Sequence, residues 1–204
     1  FDATVSITNN TADGTAGSGG GIFNSNNGNI TLSGTTVTGN SADNGDGGGV
    51  FNPSGSTLTV DTATDISTNN AGDDGGGIFN AGTLSINGAT LDANTASGTG
   101  SDGGGIFLAN GSTHTIQNAT ITNNVASGDA ATNGGGGIFN DQNTLNLGAT
   151  VTITGNVADG TSGSGGGIFN NQGTLGLTGM TLSGNIANRA GGGIEDNSGA
   201  GLGI

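Results

Sequence analysis

The chain has 204 residues, of which 47 are Gly, and its formal net charge is −14 with a single Arg and no Lys. This acidic balance makes nucleic acid and anionic membrane surfaces poor partners and divalent cations plausible ones. The absence of Cys excludes disulfides and thiolate metal sites, and no apolar stretch is long enough for membrane insertion of this segment.

A six-residue segment, GGGIFN, occurs at residues 19–24 and returns at residues 75–80, 135–140 and 165–170. Near copies occupy residues 47–52 and 103–108, and an altered copy, GGGIED, occupies residues 191–196. The Ile or Val of these copies stands at positions 22, 50, 78, 106, 138, 168 and 194, so the spacings are 28, 28, 28, 32, 30 and 26. A period in this range is typical of a solenoid.

Each repeat contains three segments with period-two alternation. The first is the glycine triplet with its Ile or Val. The second holds two apolar residues separated by one, such as Leu58 and Val60, and the third has an apolar residue three positions before an Asn, such as Ile66 before Asn69. Such alternation predicts strands rather than helices. We therefore predict an all-β fold, a parallel β-helix (β-solenoid) of about seven coils with three short strands per coil, in a single domain over residues 1–204.

Equivalent residues of successive coils should stack into ladders along the axis. The Asn of the third segment is predicted to form a structural ladder at a bend, where side-chain amides bond to one another and to the turn backbone. Its members are Asn10, Asn40, Asn69, Asn94, Asn124, Asn156 and Asn185. Phe1 and residues 202–204 fall in the phase of the second segment, which favours an excerpt or a subunit of a longer solenoid or filament.

The succession GGG-[IV]-F-N, T-L-x-[IV] and T-[ILV]-x-x-N-x-A resembles the right-handed parallel β-helix repeats of large bacterial surface proteins. These include autotransporter adhesins and polymorphic outer-membrane proteins, whose repeats carry a GGAI-type element and an F-x-x-N element. Here only Phe23 to Asn26 and Phe107 to Asn110 keep the second spacing. The resemblance implies a right-handed solenoid that is extracellular or at the cell surface.

The same fold also carries pectate lyases and other polysaccharide-degrading enzymes, so a lyase-like activity has to be weighed. Lyases of this fold use a basic residue near bound Ca²⁺, and this chain offers only Arg189, beside a glycine triplet. Hydrolases need carboxylates at a fixed separation, whereas the adjacent pair Asp73 and Asp74 lies in a variable loop. His114 replaces a Leu in the second segment and is expected to be a tolerated core residue. We predict no catalytic site and no resident cofactor.

The loops before the glycine triplets carry most of the carboxylates. One interpretation is a solvated, soluble face. The other is weak, loop-bound Ca²⁺, because Asp and carbonyl oxygens suit that ion although no regular ligand spacing is present. The candidate ligands are Asp43, Asp46, Asp73, Asp74 and Asp102.

One Phe follows the Ile or Val of each of the first six repeats. If that Ile points inward, alternation points the Phe outward, and Glu at the seventh equivalent position agrees with an outward direction. A continuous apolar stripe on a surface typically marks an interface. The predicted interface residues are Phe23, Phe51, Phe79, Phe107, Phe139 and Phe169. The alternatives are that the long acidic loops fold over this stripe or that the Phe side chains turn inward.

Together these features favour a structural extracellular fibre or cell-surface adhesin that self-associates end to end and through the Phe ladder. A host surface or a polysaccharide is a further candidate partner. A second outward ladder, rich in Thr and interrupted by Asp65 and Asp92, leaves an ice-binding or carbohydrate-binding solenoid as the alternative.

Overall fold

The computed structural model describes residues 5–25, 27–109 and 111–198. These residues form 27 strands and no helix. The strands make four sheets, each built from one strand per coil, and every pairing is parallel between consecutive coils. The predicted parallel β-solenoid of about seven coils is thereby confirmed.

The sheets are numbered here in the order in which the chain visits them. Sheet 1 comprises Ser6–Thr8, Thr36–Thr38, Asp65–Ser67, Thr90–Asp92, Thr120–Thr122, Thr152–Thr154 and Thr181–Ser183. Sheet 2 comprises Thr11–Ala12, Ser41–Ala42, Asn70–Ala71, Thr95–Ala96, Val125–Ala126, Val157–Ala158 and Ile186–Ala187. Sheet 3 comprises Ile22–Phe23, Val50–Asn52, Ile78–Asn80, Ile106–Leu108, Ile138–Asp141, Ile168–Asn171 and Ile194–Asp196. Sheet 4 comprises Asn29–Leu32, Thr57–Val60, Thr83–Asn87, Thr113–Gln117, Thr144–Leu147 and Thr174–Leu177.

The coil therefore has four strands, not the three predicted. The third sequence segment is divided between sheets 1 and 2 by a sharp bend just before the ladder Asn. At this bend the backbone enters the left-handed region even without glycine, as at Thr68 (φ 53°) and Ala93 (φ 55°). Because the alternation continues on both sides of the bend, the sequence periodicity alone indicated one strand where the structure has two.

The glycine triplet forms the wall between sheets 2 and 3, as residues 75–77 illustrate. Gly75 has a φ of 68°, which most side chains disfavour. A Cβ on Gly76 would lie 2.4 Å from the carbonyl carbon and oxygen of Thr95 in the next coil. A Cβ on Gly77 would lie 2.6 Å from the carbonyl oxygen of Gly105. Glycine is thus required at all three positions: at the first by its left-handed φ, and at the other two by close contact with the backbone of the next coil.

The interior is filled by ladders of Ile, Val and Leu from sheets 1, 3 and 4. One of them runs in register through Ile22, Val50, Ile78, Ile106 and Ile138 and continues to Ile168 and Ile194. Nearly all of these side chains are buried in a single cluster. Stacking the coils in register therefore produces a continuous apolar core of narrow cross-section.

The predicted second-segment strands at Phe1 and at residues 202–204 lie outside the described residues, as do Asn26 and Asn110. The right hand of the coil stays a prediction. Among the described residues, no helix has the length and apolarity required to span a membrane.

Candidate functional site

The predicted Asn ladder lies at the bend between sheets 1 and 2. In each coil from Asn10 to Asn156, the backbone N–H and Nδ2 both donate to Oδ1 of the ladder Asn in the next coil, over 2.9–3.0 Å. From the second coil onward Nδ2 also donates to a sheet 1 carbonyl one coil back, as Asn94 does to Ile66. This ladder joins every coil boundary within the described residues and has a fixed direction, because each Asn donates to the Oδ1 of the Asn in the later coil.

A second Asn ladder follows the Phe position in sheet 3 and is interrupted. Nδ2 of Asn24 donates to Asn52, and Nδ2 of Asn52 donates to Asn80. Leu108 takes the next position, and the ladder resumes with Asn140 donating to Asn170. Because Leu108 offers no amide, Oδ1 of Asn140 is buried without a hydrogen-bond partner among the described residues.

The six Phe rings stack in an unbroken column beside the core. Neighbouring ring centroids lie 4.9–5.2 Å apart, and the rings are close to parallel. Phe107, Phe139 and Phe169 belong to an apolar cluster distinct from the interior core, with Phe79 packed against it. The Phe side of sheet 3 therefore has a small hydrophobic cluster of its own.

The expectation of six exposed rings is wrong for the later half of this column. The exposed fraction is 55% for Phe23 but 8% for Phe107, 3% for Phe139 and 1% for Phe169, while Phe51 and Phe79 are intermediate. Phe23 ends the column, whereas the three buried rings lie toward its other end, where Phe169 is in register with Glu195. The exposed part of the stripe is thus limited to Phe23, Phe51 and Phe79.

Arg189 ties the later loops together at the end of this column. Its Nε donates to Ser164 Oγ at 2.8 Å, and its Nη2 donates to the Ala131 carbonyl at 3.1 Å and to Glu195 Oε1 at 2.9 Å. Glu195 pairs in register with Phe169, so the ion pair sits directly beside the last ring. The one Arg therefore has structural contacts that account for its position.

Three carboxylates form a further ladder, at the position immediately before the glycine triplet. Asp46 Oδ1 accepts the backbone N–H of Asp74 at 3.1 Å, and Asp74 Oδ1 accepts that of Asp102 at 2.8 Å. Asp102 accepts the N–H of Gly134 at 2.6 Å and Nδ2 of Asn133 at 3.1 Å. We call Asp46, Asp74 and Asp102 the Asp ladder. Sequence reasoning placed these residues in variable loops and did not anticipate their stacking.

Burial controls the titration of the Asp ladder. It raises the pKa of Asp74 to about 8, and Asp102, Asp73 and Asp46 add to this shift by repulsion. It raises the pKa of Asp102 to about 7, although the hydrogen bonds from Gly134 and Asn133 oppose the shift. The pKa of Asp46 is raised for the same reason. Asp102 is buried, so a solvated acidic face does not describe it, whereas Asp46 and Asp74 are partly exposed.

The five carboxylates considered for Ca²⁺ are only partly brought together. Oxygens of Asp46, Asp73 and Asp74 all lie within 4.8 Å of one another, and Asp102 follows Asp74 in the ladder. Asp43 is exposed and accepts a hydrogen bond from Ser41 instead. Carboxylate oxygens at this separation suit a hard cation, and weak cation binding stays a prediction.

His114 is fully buried in sheet 4, in register with Leu145, as expected for a core residue. Neither ring nitrogen has a hydrogen-bond partner among the described residues. Burial lowers the pKa of His114, and the nearby polar groups of Asn143 and Leu84 oppose this in part. A neutral imidazole enclosed in the core has no access to a substrate.

Comparison with known proteins gives one family match. The model of the Chlamydia polymorphic membrane protein repeat matches residues 4–25, a span that includes the strands Ser6–Thr8, Thr11–Ala12 and Ile22–Phe23. No curated protein and no solved structure matches the chain. A match to a repeat of this kind, on a chain that folds as a parallel β-solenoid, fits a surface repeat protein.

Proposed function

We propose that this chain is a structural solenoid of the cell surface or extracellular space, an adhesin or fibre segment that self-associates end to end. The observation that carries the proposal is that the two ends of the coil stack, its first and last described coils, have complementary hydrogen-bonding groups. Oδ1 of Asn10 accepts no hydrogen bond within the described residues, and the backbone N–H of Asn185 donates none there. A second copy stacked head to tail, or further coils of a longer chain, would pair these groups as every internal coil boundary does.

The apolar surface at the first coil supports the same contact. A cavity of about 710 Å³ opens there, lined by Ile7, Ile22, Phe23 and Ile30 among others. Core side chains of the last described coil, such as Leu182 and Ile194, are only partly buried. Joining the two faces would remove apolar surface from water and satisfy open strand edges.

The altered seventh repeat limits the strength of this contact. In a head-to-tail junction that continues the sheet 3 register, Glu195 would lie beside Phe23 and Asp196 beside Asn24. An ionised Asp has no hydrogen to donate to the Oδ1 of Asn24, unlike the Asn at the internal positions. We therefore expect a weak junction that strengthens when Asp196 is replaced by Asn.

Sedimentation velocity of the 204-residue chain tests this contact. Ile30→Lys places a charge in the open apolar face and should abolish association, whereas Ser85→Lys makes the same charge change on the exposed face of sheet 4 and should not. Asp196→Asn should lower the dissociation constant, and Asp159→Asn, at an exposed position, is its control. A parent and an Asp196→Asn variant that are both monodisperse monomers at high concentration would refute end-to-end association.

We also propose lateral association through the exposed Phe side chains, Phe23, Phe51 and Phe79. The double variant Phe51→Ser, Phe79→Ser should reduce lateral bundling in electron micrographs while leaving end-to-end growth intact. Phe107 and Phe139 are unsuitable for this test because they are buried, and their replacement would affect folding instead. A folded double variant that bundles as strongly as the parent would exclude the Phe contact.

The proposed role is non-catalytic, and the positions of the few candidate groups support it. His114 is enclosed in the core, Arg189 is engaged by Ser164, Ala131 and Glu195, and the Asp ladder accepts backbone hydrogen bonds. A host surface or polysaccharide remains the proposed external partner.

Ice or glycan binding is the second candidate. It is favoured by the in-register outer hydroxyls of sheet 1 at Thr120, Thr152 and Thr181, and at Thr122 and Thr154. Ice-growth inhibition or glycan-array binding by a non-associating variant such as Ile30→Lys would support this candidate. The absence of both would leave the structural role.

A further inference from the structure

We propose that the boundary between the fourth and fifth coils is a built-in breakpoint, at which the solenoid opens locally before the second–third and fifth–sixth boundaries do. At this boundary the strands Ile106–Leu108 and Thr113–Gln117 pair with Ile138–Asp141 and Thr144–Leu147. The proposal is independent of the end-to-end contact, because both coils are internal to the stack.

The Asn ladder of sheet 3 leaves an acceptor unpaired at this boundary. Elsewhere in the ladder, Nδ2 of an Asn in the earlier coil donates to Oδ1 of the next, as Asn52 does to Asn80. Leu108 takes the donor position before Asn140, so Oδ1 of Asn140 has no hydrogen-bond partner among the described residues. The side chain of Asn140 is fully buried, so bulk water does not replace the missing bond.

His114 adds two more unpaired atoms at the same boundary. It is fully buried in sheet 4, in register with Leu145 of the fifth coil. A neutral imidazole has one donor and one acceptor nitrogen, and neither is paired within the described part of the chain. The side chain of Asn143 lies nearby, but the carbonyls of Leu108 and Asp141 take both of its Nδ2 hydrogens. The three buried side-chain atoms that lack a partner among the described residues therefore meet at one coil boundary.

These unpaired atoms favour opening at this boundary. A buried polar group without a partner raises the free energy of the closed state, and opening allows water to bond to it. In a uniform stack each coil contacts only its neighbours, so fraying begins at the ends and the middle coils are the most protected. The fourth of seven coils is the middle one. A breakpoint beside it would reverse the order expected for a uniform stack.

The backbone pairing across this boundary does not compensate for the unpaired atoms. The N–H of Thr144 donates to the Ser112 carbonyl at 2.9 Å, and at the second–third boundary the N–H of Thr83 donates to the Ser56 carbonyl at the same distance. Side-chain bonds to the backbone of the adjacent coil occur at both boundaries, through Asn143 here and through an Asn of the sheet 3 ladder there. The two boundaries therefore differ chiefly in their interior.

Opening at this boundary would also expose apolar surface. Phe107 and Phe139 stack across it with their ring centroids 5.2 Å apart, and their exposed fractions are 8% and 3%. The column continues from Phe107 to Phe79, the last ring of the exposed stripe. Local opening would therefore extend that stripe by two rings that the closed solenoid keeps buried.

The test on the parent protein is backbone hydrogen exchange of the 204-residue chain followed by NMR, with each rate corrected for its intrinsic value. The reporter amides are Thr144 at the fourth–fifth boundary, Thr83 at the second–third and Thr174 at the fifth–sixth, where Thr174 donates to the Asn143 carbonyl at 2.8 Å. Thr144 should exchange about tenfold faster than the other two or more, because one buried unpaired group changes an opening constant by about that factor. Exchange at Thr144 that is equal to or slower than at Thr83 and Thr174 would overturn the proposal.

A repaired variant tests the cause of the opening. His114→Leu restores the residue type found at Leu145, and it should slow exchange at Thr144 by about tenfold while leaving Thr83 unchanged. Thr113→Val, an outward change at an exposed position of the same strand, should alter neither rate. An equal slowing at Thr83 and Thr144 would indicate global rather than local opening and would refute the breakpoint.

Leu108→Asn is the second repair, because its Nδ2 would donate to Oδ1 of Asn140 as in the other coils. It should slow exchange at Thr144 even if His114→Leu fails to fold. If the folded repairs keep the parental rate at Thr144, the unpaired atoms do not open this boundary and the proposal is wrong.

Discussion

Asn94 and Asn124 are joined by two hydrogen bonds across one coil boundary. The backbone N–H and Nδ2 of Asn94 both donate to Oδ1 of Asn124, each at 2.9 Å. Both residues are fully buried. Oδ1 of Asn94 in turn accepts two hydrogen bonds from Asn69, and its Nδ2 donates to the Ile66 carbonyl. One side chain therefore forms hydrogen bonds with both neighbouring coils.

Replacing Asn94 by Ala should lower the free energy of unfolding by about 4 kcal/mol, because several buried donors and acceptors lose their partners at about 1–3 kcal/mol each. Urea unfolding followed by circular dichroism measures the change. Asn87→Ala removes an exposed Asn that accepts one bond from Asn118, and should cost less than about 1 kcal/mol. Equal losses in the two variants would show that the ladder adds nothing beyond surface hydrogen bonding.

Gly76→Ala should prevent native folding or reduce the unfolding temperature severely. Its Cβ would lie 2.4 Å from the Thr95 carbonyl and 2.5 Å from the Gly104 oxygen, and these backbone atoms of the next coil cannot move away without separating the two coils. Gly100→Ala is the control, since no atom lies within 4 Å of its Cβ. We expect that variant to match the parent or gain about 0.5 kcal/mol. A folded Gly76→Ala protein of parental stability would contradict the close wall between sheets 2 and 3.

The repeat made the fold predictable, and the bends explain what was missed. Ile78, Phe79 and the glycines before them recur in one register, so their stacking follows from periodicity alone. The fourth strand was missed because the bend residue before the ladder Asn varies in type. It is Gly at positions 39, 155 and 184 and Asn at positions 9 and 123, which favour a left-handed φ, but Thr68 and Ala93 adopt the same conformation. Periodicity records which residues share a face, whereas a bend has to be inferred from residue types that differ between coils.

The candidate site was less predictable because its properties depend on neighbours from other coils. The outward direction expected for Phe139 did not reveal that its ring would be buried in an apolar cluster with Phe107 and Phe169. Asp74 and Asp102 are separated by 28 residues, and only the folded register stacks them. A residue's burial in a solenoid is thus set partly by neighbours from other coils, which a pattern within one repeat does not contain.

Added salt should raise the unfolding temperature of the chain at neutral pH, because a net charge of −14 produces repulsion that salt screens. Ca²⁺ and Mg²⁺ at equal concentration should stabilise it to a similar degree through loose binding near Asp46, Asp73 and Asp74. Differential scanning calorimetry with matched ionic strength measures both effects. A large gain from micromolar Ca²⁺ that Mg²⁺ does not reproduce would instead establish a selective site at these carboxylates.

His114→Leu should stabilise the protein, and the gain should grow in acid. Leu occupies the equivalent position at Leu84 and Leu145 and is buried there, whereas both nitrogens of His114 are buried without partners. Removing them should contribute about 1–3 kcal/mol at neutral pH. Burial lowers the pKa of His114, so the parent protein loses stability as the pH falls below about 6.5, whereas the Leu variant does not.

Urea unfolding of both proteins at about pH 8 and about pH 5 measures the difference between their free energies of unfolding. The titration of the Asp ladder is common to both proteins and cancels in this difference. His114→Asn retains a polar side chain and should not reproduce the gain. If the stability gained by His114→Leu is the same at both pH values, unfolding does not add a proton to His114, and the prediction is wrong.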